Sequence, residues 1–259
     1  MTSIIVPVRY RADLTTVCID SIVGYTENYE LILVQEGNDE EMNKYFGKME
    51  FFNGFRKDAK PIIKFIQNKE PKGYAGALND GAKIATGEYL CFMNNDTVAT
   101  PGWMDEMLKA FEDKSVGLVS PTFWGTGDRQ SVDWNMGNQF DYVSDPLSLI
   151  GVCYVIPREV MDVVGEWDET SFKSEGVQHG GEDLDMTIRI QNAGYQMVIA
   201  RKSFIYHYGG ASTRELFDND FMRVKQNVDN KLMLLAKKHN LSLDKVFKKN
   251  GTSENKSEA

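Results

Sequence analysis

Short apolar runs alternate with helical periodicity along the first hundred residues. Four short, mostly apolar runs are predicted to be strands: residues 3–8, 30–34, 61–66 and 88–93. The first is continuously apolar, as is typical of a strand buried on both faces. Helical stretches separate them: an amphipathic one over residues 13–23, a polar one before residue 60, and one rich in small residues over 74–85. This alternation of strand and helix predicts a parallel sheet with helices on both faces.

The second half of the chain is less regular. Helices are predicted over residues 101–112, 157–164 and 184–192, and strands over 116–120, 149–156, 196–200 and 203–206. Residues 122–148 are rich in Gly, Asp, Asn and aromatic residues and have no sustained period. A loop this long in a compact domain is usually a lid or a binding loop, and we interpret it in that way.

The C-terminal region is basic and amphipathic. Residues 221–250 contain eight Lys or Arg and two Asp or Glu, and a helix over 221–239 places five apolar residues on one face: Phe221, Val224, Val228, Leu232 and Leu235. This stripe either packs on the domain and leaves the lysines in solvent, which we favour, or contacts an anionic membrane surface. Residues 251–259 are expected to be a disordered tail.

Composition narrows the class of protein. The chain has 259 residues and a formal net charge of −9, which argues against nonspecific nucleic-acid binding. Its three cysteines are far apart in apolar surroundings, which predicts buried, reduced thiols and a cytoplasmic setting. The chain has no stretch of about 18 apolar residues, and its start has no signal-peptide pattern, so we expect no membrane span.

Polar residues follow three of the predicted strands: Pro7-Val8-Arg9, Gln35-Glu36-Gly37 and Asn94-Asn95-Asp96. Ligands of parallel sheets bind beyond the carboxyl ends of the strands, so all three segments are expected along one crevice. Mn²⁺ or Mg²⁺ prefers oxygen ligands and often shares them with substrate phosphates, which makes Asn94-Asn95-Asp96 a candidate metal site. The alternative interpretation is a turn that only ends the strand.

Two further segments carry candidate chemistry. In Gly180-Gly181-Glu182-Asp183, the acids either complement a helix N-terminus or place Asp183 in the crevice as a general base. His207 either has a structural role among aromatic residues or binds the metal. The segment around Lys72 resembles a phosphate loop only weakly, since it lacks Walker spacing and the GxGxxG pattern.

Taken in order, six segments strongly resemble the family-two glycosyltransferases: SIIVPVR, ELILVQEGND, GYAGALNDGAKIATGEYLCFMNND, VGEWDETSF, GGEDLDMTIRIQNAGY and HYGGAST. The resemblance covers about residues 3–215. It is greatest to the subgroup of rhamnosyl- and related transferases, whose metal motif commonly reads Asn-Asn-Asp-Thr. It implies a GT-A fold: a Rossmann-like, mostly parallel central sheet with helices on both faces, followed here by a C-terminal helical extension.

The resemblance also implies a domain organisation and a donor pocket. Residues 1–220 would form one catalytic domain, with a nucleotide-sugar half over 1–100 and an acceptor half over 101–220. The residues expected to surround the nucleotide are Pro7, Arg9, Gln35, Glu36, Lys72, Gly76 and Asn79. Gln35 occupies the position where the family usually has an Asp that reads the base, so the sequence departs from the pattern there.

The same resemblance implies the metal and catalytic residues. Asn94, Asn95 and Asp96 occupy the position of the family's DXD motif, with Asp96 as the carboxylate on Mn²⁺ or Mg²⁺. His207 would be a supplementary ligand of the metal or diphosphate. Asp183 would be the general base, and Glu182 beside it would hold the acceptor or the sugar. A further motif, Trp167-Asp168-Glu169, would precede the acceptor site.

The implied reaction is an inverting transfer of a sugar from a UDP-, dTDP- or GDP-sugar. The acceptor would be a hydroxyl group on a glycan, a lipid-linked carrier or a protein, and acceptor choice would depend on residues 122–148. The residues themselves leave two alternative functions open. One is a non-catalytic nucleotide-sugar-binding protein, and the other is a nucleotidyltransferase, which would normally have a glycine-rich basic loop near its first strand.

Overall fold

The computed structural model describes residues 1–55, 62–124, 130, 139–172, 180–209 and 220–249. The strands are β1 Thr2–Val8, β2 Tyr29–Glu36, β3 Ile62–Asn68, β4 Tyr89–Met93, β5 Thr97–Ala99, β6 Val116–Phe123, β7 Phe140–Val143, β8 Cys153–Pro157 and β9 Gln196–His207. The α-helices are α1 Ala12–Tyr25, α2 Glu40–Phe55, α3 Tyr74–Ile84, α4 Trp103–Leu108, α5 Arg158–Val164, α6 Glu182–Asn192, α7 Phe221–Lys238 and α8 Leu243–Lys249. Short 3-10 turns cover Lys109–Glu112 and Pro146–Ser148.

The described strands form one sheet in the order β3-β2-β1-β4-β8-β6-β9-β5, with β7 also paired to β9. The first four strands are mutually parallel, as predicted. β8 is antiparallel to both β4 and β6, and β5 and β7 are antiparallel to β9. The sheet is therefore mixed. The alternation of strand and helix holds only for the first half of the chain, and an antiparallel strand needs no crossover helix.

The prediction of one long loop over residues 122–148 is partly wrong. β6 continues to Phe123, and Phe140–Val143 forms β7 at the edge of β9. β7 has four residues, of which only Val143 is buried, so it has too little apolar pattern to be recognised. Residues 125–129 and 131–138 lie outside the described part of the chain. The two strands predicted over 196–206 are one strand, β9, whose register against β6 shifts between Pro121 and Thr122.

Helices cover both faces of the sheet, as expected. One face packs against α1, α2 and α4, through residues such as Ile19, Phe46 and Trp103. The opposite face packs against α3, α5 and α6. The three cysteines are buried and free, which confirms the prediction of buried, reduced thiols. The sheet contains strands from both predicted halves of the domain, and the proposed boundary near residue 100 stays a prediction.

The C-terminal helices pack on the domain. Leu232, Leu235 and Ala236 of α7 form a cluster with Leu184 and Ile188 of α6. The predicted apolar face is only partly buried, since Val228 is 43% exposed. The expectation that the lysines stay in solvent is wrong for Lys231, which is only 1% exposed. None of the helices within the described ranges is both long enough and apolar enough to cross a membrane.

Candidate active site

The segment Asn94-Asn95-Asp96 links β4 to β5 at the carboxyl edge of the sheet. Its backbone forms a turn, in which Asn94 N donates to Val152 O (3.0 Å) and Thr97 Oγ1 donates to Asn94 O (2.7 Å). β5 pairs with β9 so that Thr97 lies opposite His207. The segment is therefore both the turn and the crevice position considered from the sequence, and the pairing brings Asp96 beside His207.

Asp96 and His207 form a buried pair. The Asp96 Oδ1 atom lies 3.3 Å from His207 Nε2, and the two side chains are 5% and 9% exposed. Neither ring nitrogen of His207 makes a well-oriented hydrogen bond within the described residues. A buried imidazole without such a partner next to a carboxylate is the donor set expected of a divalent-metal site. Among the described residues no group of three His, Cys, Asp or Glu could hold a metal.

The two asparagines of the turn have different contacts. Asn94 Oδ1 accepts a hydrogen bond from the Tyr74 hydroxyl (2.7 Å), and the Asn94 side chain is partly exposed toward the crevice. Asn95 is buried, and its Nδ2 donates to Thr15 Oγ1 (2.8 Å) and to Tyr10 O (3.4 Å). Asn95 therefore connects the turn to the loop between β1 and α1, a role that its position in the motif did not predict.

Tyr74, at the start of α3, is a site residue that the sequence analysis missed. Burial raises the pKa of its phenol well above the ordinary value, and the charges of Glu182, Asp183 and Asp96 raise it further. The hydroxyl therefore stays protonated and donates to Asn94 Oδ1. It also lies 3.5 Å from Gly151 O. The only sequence signal was its place at a helix start beyond a strand end.

Asp183 lies at the start of α6, and two backbone N–H groups orient its carboxylate. Gly151 N donates to Oδ2 (3.0 Å) and Leu184 N donates to Oδ1 (2.9 Å). A Cβ at Gly151 would lie 2.5 Å from Asp183 Cβ, so only glycine allows this approach. Through Gly151 and Tyr74, Asp183 is connected to Asn94 in the turn between β4 and β5. Gly151 is a second residue that the sequence analysis missed.

The loop after β1 borders the predicted nucleotide pocket. Pro7 is buried within β1, opposite Val34 of β2. Arg9 is half-buried, and its guanidinium lies 5.0 Å from the ring centroid of Tyr10. Tyr10 and Arg11 have φ values of 58° and 52°, in the left-handed region that non-glycine residues rarely adopt. Such outliers concentrate at ligand-binding sites, which fits the predicted place of this loop beside the donor.

Glu36 has structural contacts at the end of β2. Its Oε2 accepts hydrogen bonds from Lys72 N (2.5 Å) and Gly73 N (2.8 Å), and its Oε1 accepts from Asn68 Nδ2 (2.7 Å). Gln35 is buried and donates from Nε2 to Asp39 O (3.3 Å). Glu36 therefore positions the segment that leads into α3. A role for either residue in reading the base stays a prediction.

The other residues that were predicted to contact the nucleotide sugar make contacts with α3 and with the segment Trp167–Glu169. Asn79 donates to Trp167 O (2.9 Å) and to Glu169 Oε1 (2.7 Å), and it accepts from Trp167 N (2.9 Å). A Cβ at Gly76 would lie 2.6 Å from Lys72 Cβ, so this position needs a glycine. Lys72 Nζ lies 2.6 Å from Asp80 Oδ2. The Trp167–Glu169 segment is therefore fixed against α3.

The two predicted acids of α6 are placed differently. Asp183 is half-buried next to Gly151, whereas Glu182 is only 4% exposed. The charge of Glu182 interacts with that of Lys231 on α7. Lys231 was grouped with the solvated lysines of the basic helix, so it is a third contributor that the sequence analysis missed.

Two family models match this chain. The Glycosyl transferase family 2 model matches residues 3–155, and the Glycosyl transferase family group 2 model matches residues 89–223. The O-antigen biosynthesis protein RfbC of Myxococcus xanthus is 27% identical over 237 residues, covering 82% of this chain and 18% of that protein. The chain spans less than a third of the length of the first curated relatives that it matches.

Solved structures with the same fold include two that contain Mn²⁺. The mannosyltransferase PcManGT from Pyrobaculum calidifontis, in complex with GDP-Man and Mn²⁺, has a TM-score of 0.68 and 16% identity, over 93% of this chain and 64% of that one. GalNAc-T7 with UDP, GalNAc and Mn²⁺ has a TM-score of 0.62 and 15% identity, over 80% and 43% of the two chains. At these identities the similarity shows the fold, and the expected GT-A architecture is confirmed.

Proposed function

Because the chain belongs to glycosyl transferase family 2, we propose that it transfers a sugar from a nucleoside-diphosphate donor to an acceptor hydroxyl, with inversion and with a divalent metal. The observation that carries this proposal is the arrangement of two chemical centres at one edge of the sheet. Asp96 and His207 form the first, Asp183 forms the second, and Tyr74 and Gly151 lie between them.

The metal centre fits Mn²⁺ or Mg²⁺. Asp96 would supply the carboxylate and His207 an imidazole nitrogen, and the donor diphosphate would complete the coordination. When bound, the metal would neutralise the departing nucleoside diphosphate as a Lewis acid. With a single carboxylate from the turn, affinity for the metal alone should be weak and the donor should strengthen it.

Asp183 would be the general base. Its carboxylate removes the proton of the acceptor hydroxyl while that oxygen forms a bond to the anomeric carbon. The bond from the anomeric carbon to the diphosphate oxygen breaks in the same step, so the configuration inverts and no covalent enzyme intermediate forms. The backbone N–H groups of Gly151 and Leu184 hold the carboxylate in one orientation, which a displacement of this kind requires.

The acceptor proposed is a hydroxyl group of a growing surface polysaccharide, free or lipid-linked, as in the rhamnosyltransferase-like subgroup. Similarity to an O-antigen biosynthesis protein supports this choice. Exposed apolar side chains on the basic helix α7, at Met222 (69%) and Met233 (45%), support peripheral contact with a membrane that carries the acceptor. The amide of Gln35 could pair with uracil or thymine, which favours UDP- or dTDP-sugars as donors.

Donor hydrolysis tests the proposal. UDP-, dTDP- and GDP-sugars are incubated with the protein and Mn²⁺, and release of the nucleoside diphosphate is measured with and without chelator. We expect release from one class of donor that stops when the metal is removed. Asp183→Asn should abolish turnover and leave donor binding nearly unchanged, while Asp162→Asn, at an exposed position of α5, should behave as wild type.

The non-catalytic alternative gives a different result in the same assay. A protein that only binds nucleotide sugars would show a donor-dependent rise in melting temperature without release of nucleoside diphosphate. Turnover retained by Asp183→Asn would refute the assignment of the base.

A further inference from the structure

Lys231 of α7 lies in an unusual place for a lysine. It is 1% exposed and is among the largest fully buried side chains of the protein. Its stem lies against the two glycines that precede α6: a Cβ at Gly180 would lie 3.6 Å from Lys231 Cγ, and a Cβ at Gly181 would lie 3.5 Å from Lys231 Cβ. A buried ammonium group is strongly unfavourable unless an opposite charge accompanies it.

Glu182 is a buried acid whose charge acts on Lys231. It is 4% exposed, and it directly precedes Asp183. Burial lowers the pKa of Lys231, and the charge of Glu182 acts in the opposite direction. The pair lies at the N-terminus of α6, where the helix dipole favours anions and opposes cations. A cation is unfavourable for the helix end itself, whereas the acidic side chains of the first turn favour one there.

The rest of α7 is anchored to the same helix. Lys238 Nζ lies 2.6 Å from Asp185 Oδ1 and 2.5 Å from Asp168 Oδ2, and His239 Nε2 lies 2.7 Å from Asp185 Oδ1. Asp185 is fully buried. In the first turn of α6, Asp183 thus lies at Gly151, whereas Asp185 contacts Lys238 and His239 as well as Arg189 of its own helix.

We propose that Lys231 is a positioning residue for the reaction: it compensates the charge of Glu182 and supports Gly180-Gly181, so that Asp183 is held at Gly151. The inference rests on the proposed role of Asp183 as the base. Lys231 lies beyond the ranges matched by both family models, which end at residues 155 and 223. Without the stem and the charge of Lys231, the start of α6 would shift, and Asp183 would move with it.

The first test separates turnover from binding. Lys231→Met keeps the length of the side chain and removes its charge. Lys237→Met, at an exposed position of the same helix, is the matched control. We expect kcat for donor hydrolysis to fall roughly 10²-fold in Lys231→Met, as for a catalytic group displaced by about 1 Å, with the Kd for Mn²⁺ and the nucleoside diphosphate unchanged. Turnover equal to that of Lys237→Met would overturn the proposal.

The second test isolates the charge pair by a double-mutant cycle with Glu182→Gln, using the urea midpoint of unfolding. Lys231→Met should lower the midpoint strongly when Glu182 is present and much less in the Glu182→Gln background. Equal decreases in both backgrounds would overturn the pairing. If Lys231→Met does not fold, a double variant that folds supports the pair, and a double variant that also fails to fold overturns it.

These results also distinguish the inference from the proposed function. If Asp183→Asn retains turnover, the assignment of the base fails, although the coupling between Lys231 and Glu182 can still be present. If Asp183→Asn abolishes turnover while Lys231→Met turns over like the control, the base is correct and the positioning role of Lys231 is wrong.

Discussion

Replacing Gly151 with alanine perturbs the proposed base without changing the base itself. A Cβ at this position would lie 2.5 Å from Asp183 Cβ and 3.0 Å from its Oδ2, whereas ordinary contact begins near 3.4 Å. Gly151 does not have a positive φ, so alanine can adopt its backbone conformation and the conflict is with the neighbouring side chain alone. The carboxylate must therefore retreat.

The size of the effect follows from that distance. Restoring ordinary contact requires Asp183 to move by about 1 Å, and a displacement of that size commonly reduces turnover by about 10²-fold. Overpacking of this kind also costs about 1–3 kcal/mol of unfolding free energy. The three atoms nearest to the added methyl group all belong to Asp183, so binding of Mn²⁺ and nucleoside diphosphate at Asp96 and His207 should be unchanged.

The assay measures kcat for donor hydrolysis, the Kd of the nucleoside diphosphate with Mn²⁺ by calorimetry, and the free energy of unfolding in urea. Gly24→Ala is the matched control, because a Cβ there meets nothing within 4 Å. Wild-type kcat in Gly151→Ala would refute the reasoning, since the position of Asp183 would then be irrelevant to the reaction. Equal losses in kcat and in nucleotide binding would also contradict it.

Two further predictions concern the metal centre and the stability of the sheet. His207→Ala should raise the Mn²⁺ concentration needed for half-maximal donor hydrolysis at least about tenfold, whereas Lys202→Ala, at an exposed position of β9, should not; an unchanged Mn²⁺ requirement would exclude His207 as a ligand. Glu30 is fully buried, and although burial raises its pKa, hydrogen bonds from Lys64, Ser3 and Thr86 outweigh this and lower the pKa from 4.5 to about 2. The corresponding stabilisation, about 3 kcal/mol, is fully present above pH 4.5 and is lost as the pH falls toward 2. Urea unfolding at a series of pH values should show this loss of unfolding free energy at low pH in wild type and not in Glu30→Gln. Parallel curves of unfolding free energy against pH for the two proteins would contradict the prediction.

The strands of the first half could be predicted because their environment is uniform. Ile4, Ile5 and Val6 are fully buried, and a strand covered on both faces is apolar at every position. The same pattern also predicted where each strand ends and therefore where the crevice lies. β5 could not be predicted, because Thr97–Ala99 has three residues, too few to show a period.

The candidate site was predictable by residue type and only partly by contact. Asp96, Asp183 and His207 are residue types that can bind a metal or accept a proton, so their presence at strand and helix ends suggested chemistry alongside the structural alternatives. For Asn95 the motif did not predict the contacts with the protein: its amide donates to Thr15 and Tyr10, and a contact with the nucleotide sugar stays a prediction. A residue type and its neighbours in the chain do not determine which surrounding groups will satisfy its hydrogen bonds.

The sequence by itself determined the alternation of strands and helices, the edge at which polar groups gather, and the family, because each of these depends on neighbours within a few residues. Only the tertiary structure decided the contacts between distant segments. The register of β5 on β9 places Asp96 at His207, the close approach of Gly151 orients Asp183, and packing of α7 buries Lys231 beside Glu182. These contacts join residues that are 32 to more than 100 positions apart, and the local period of a sequence contains no information about which distant surfaces will meet.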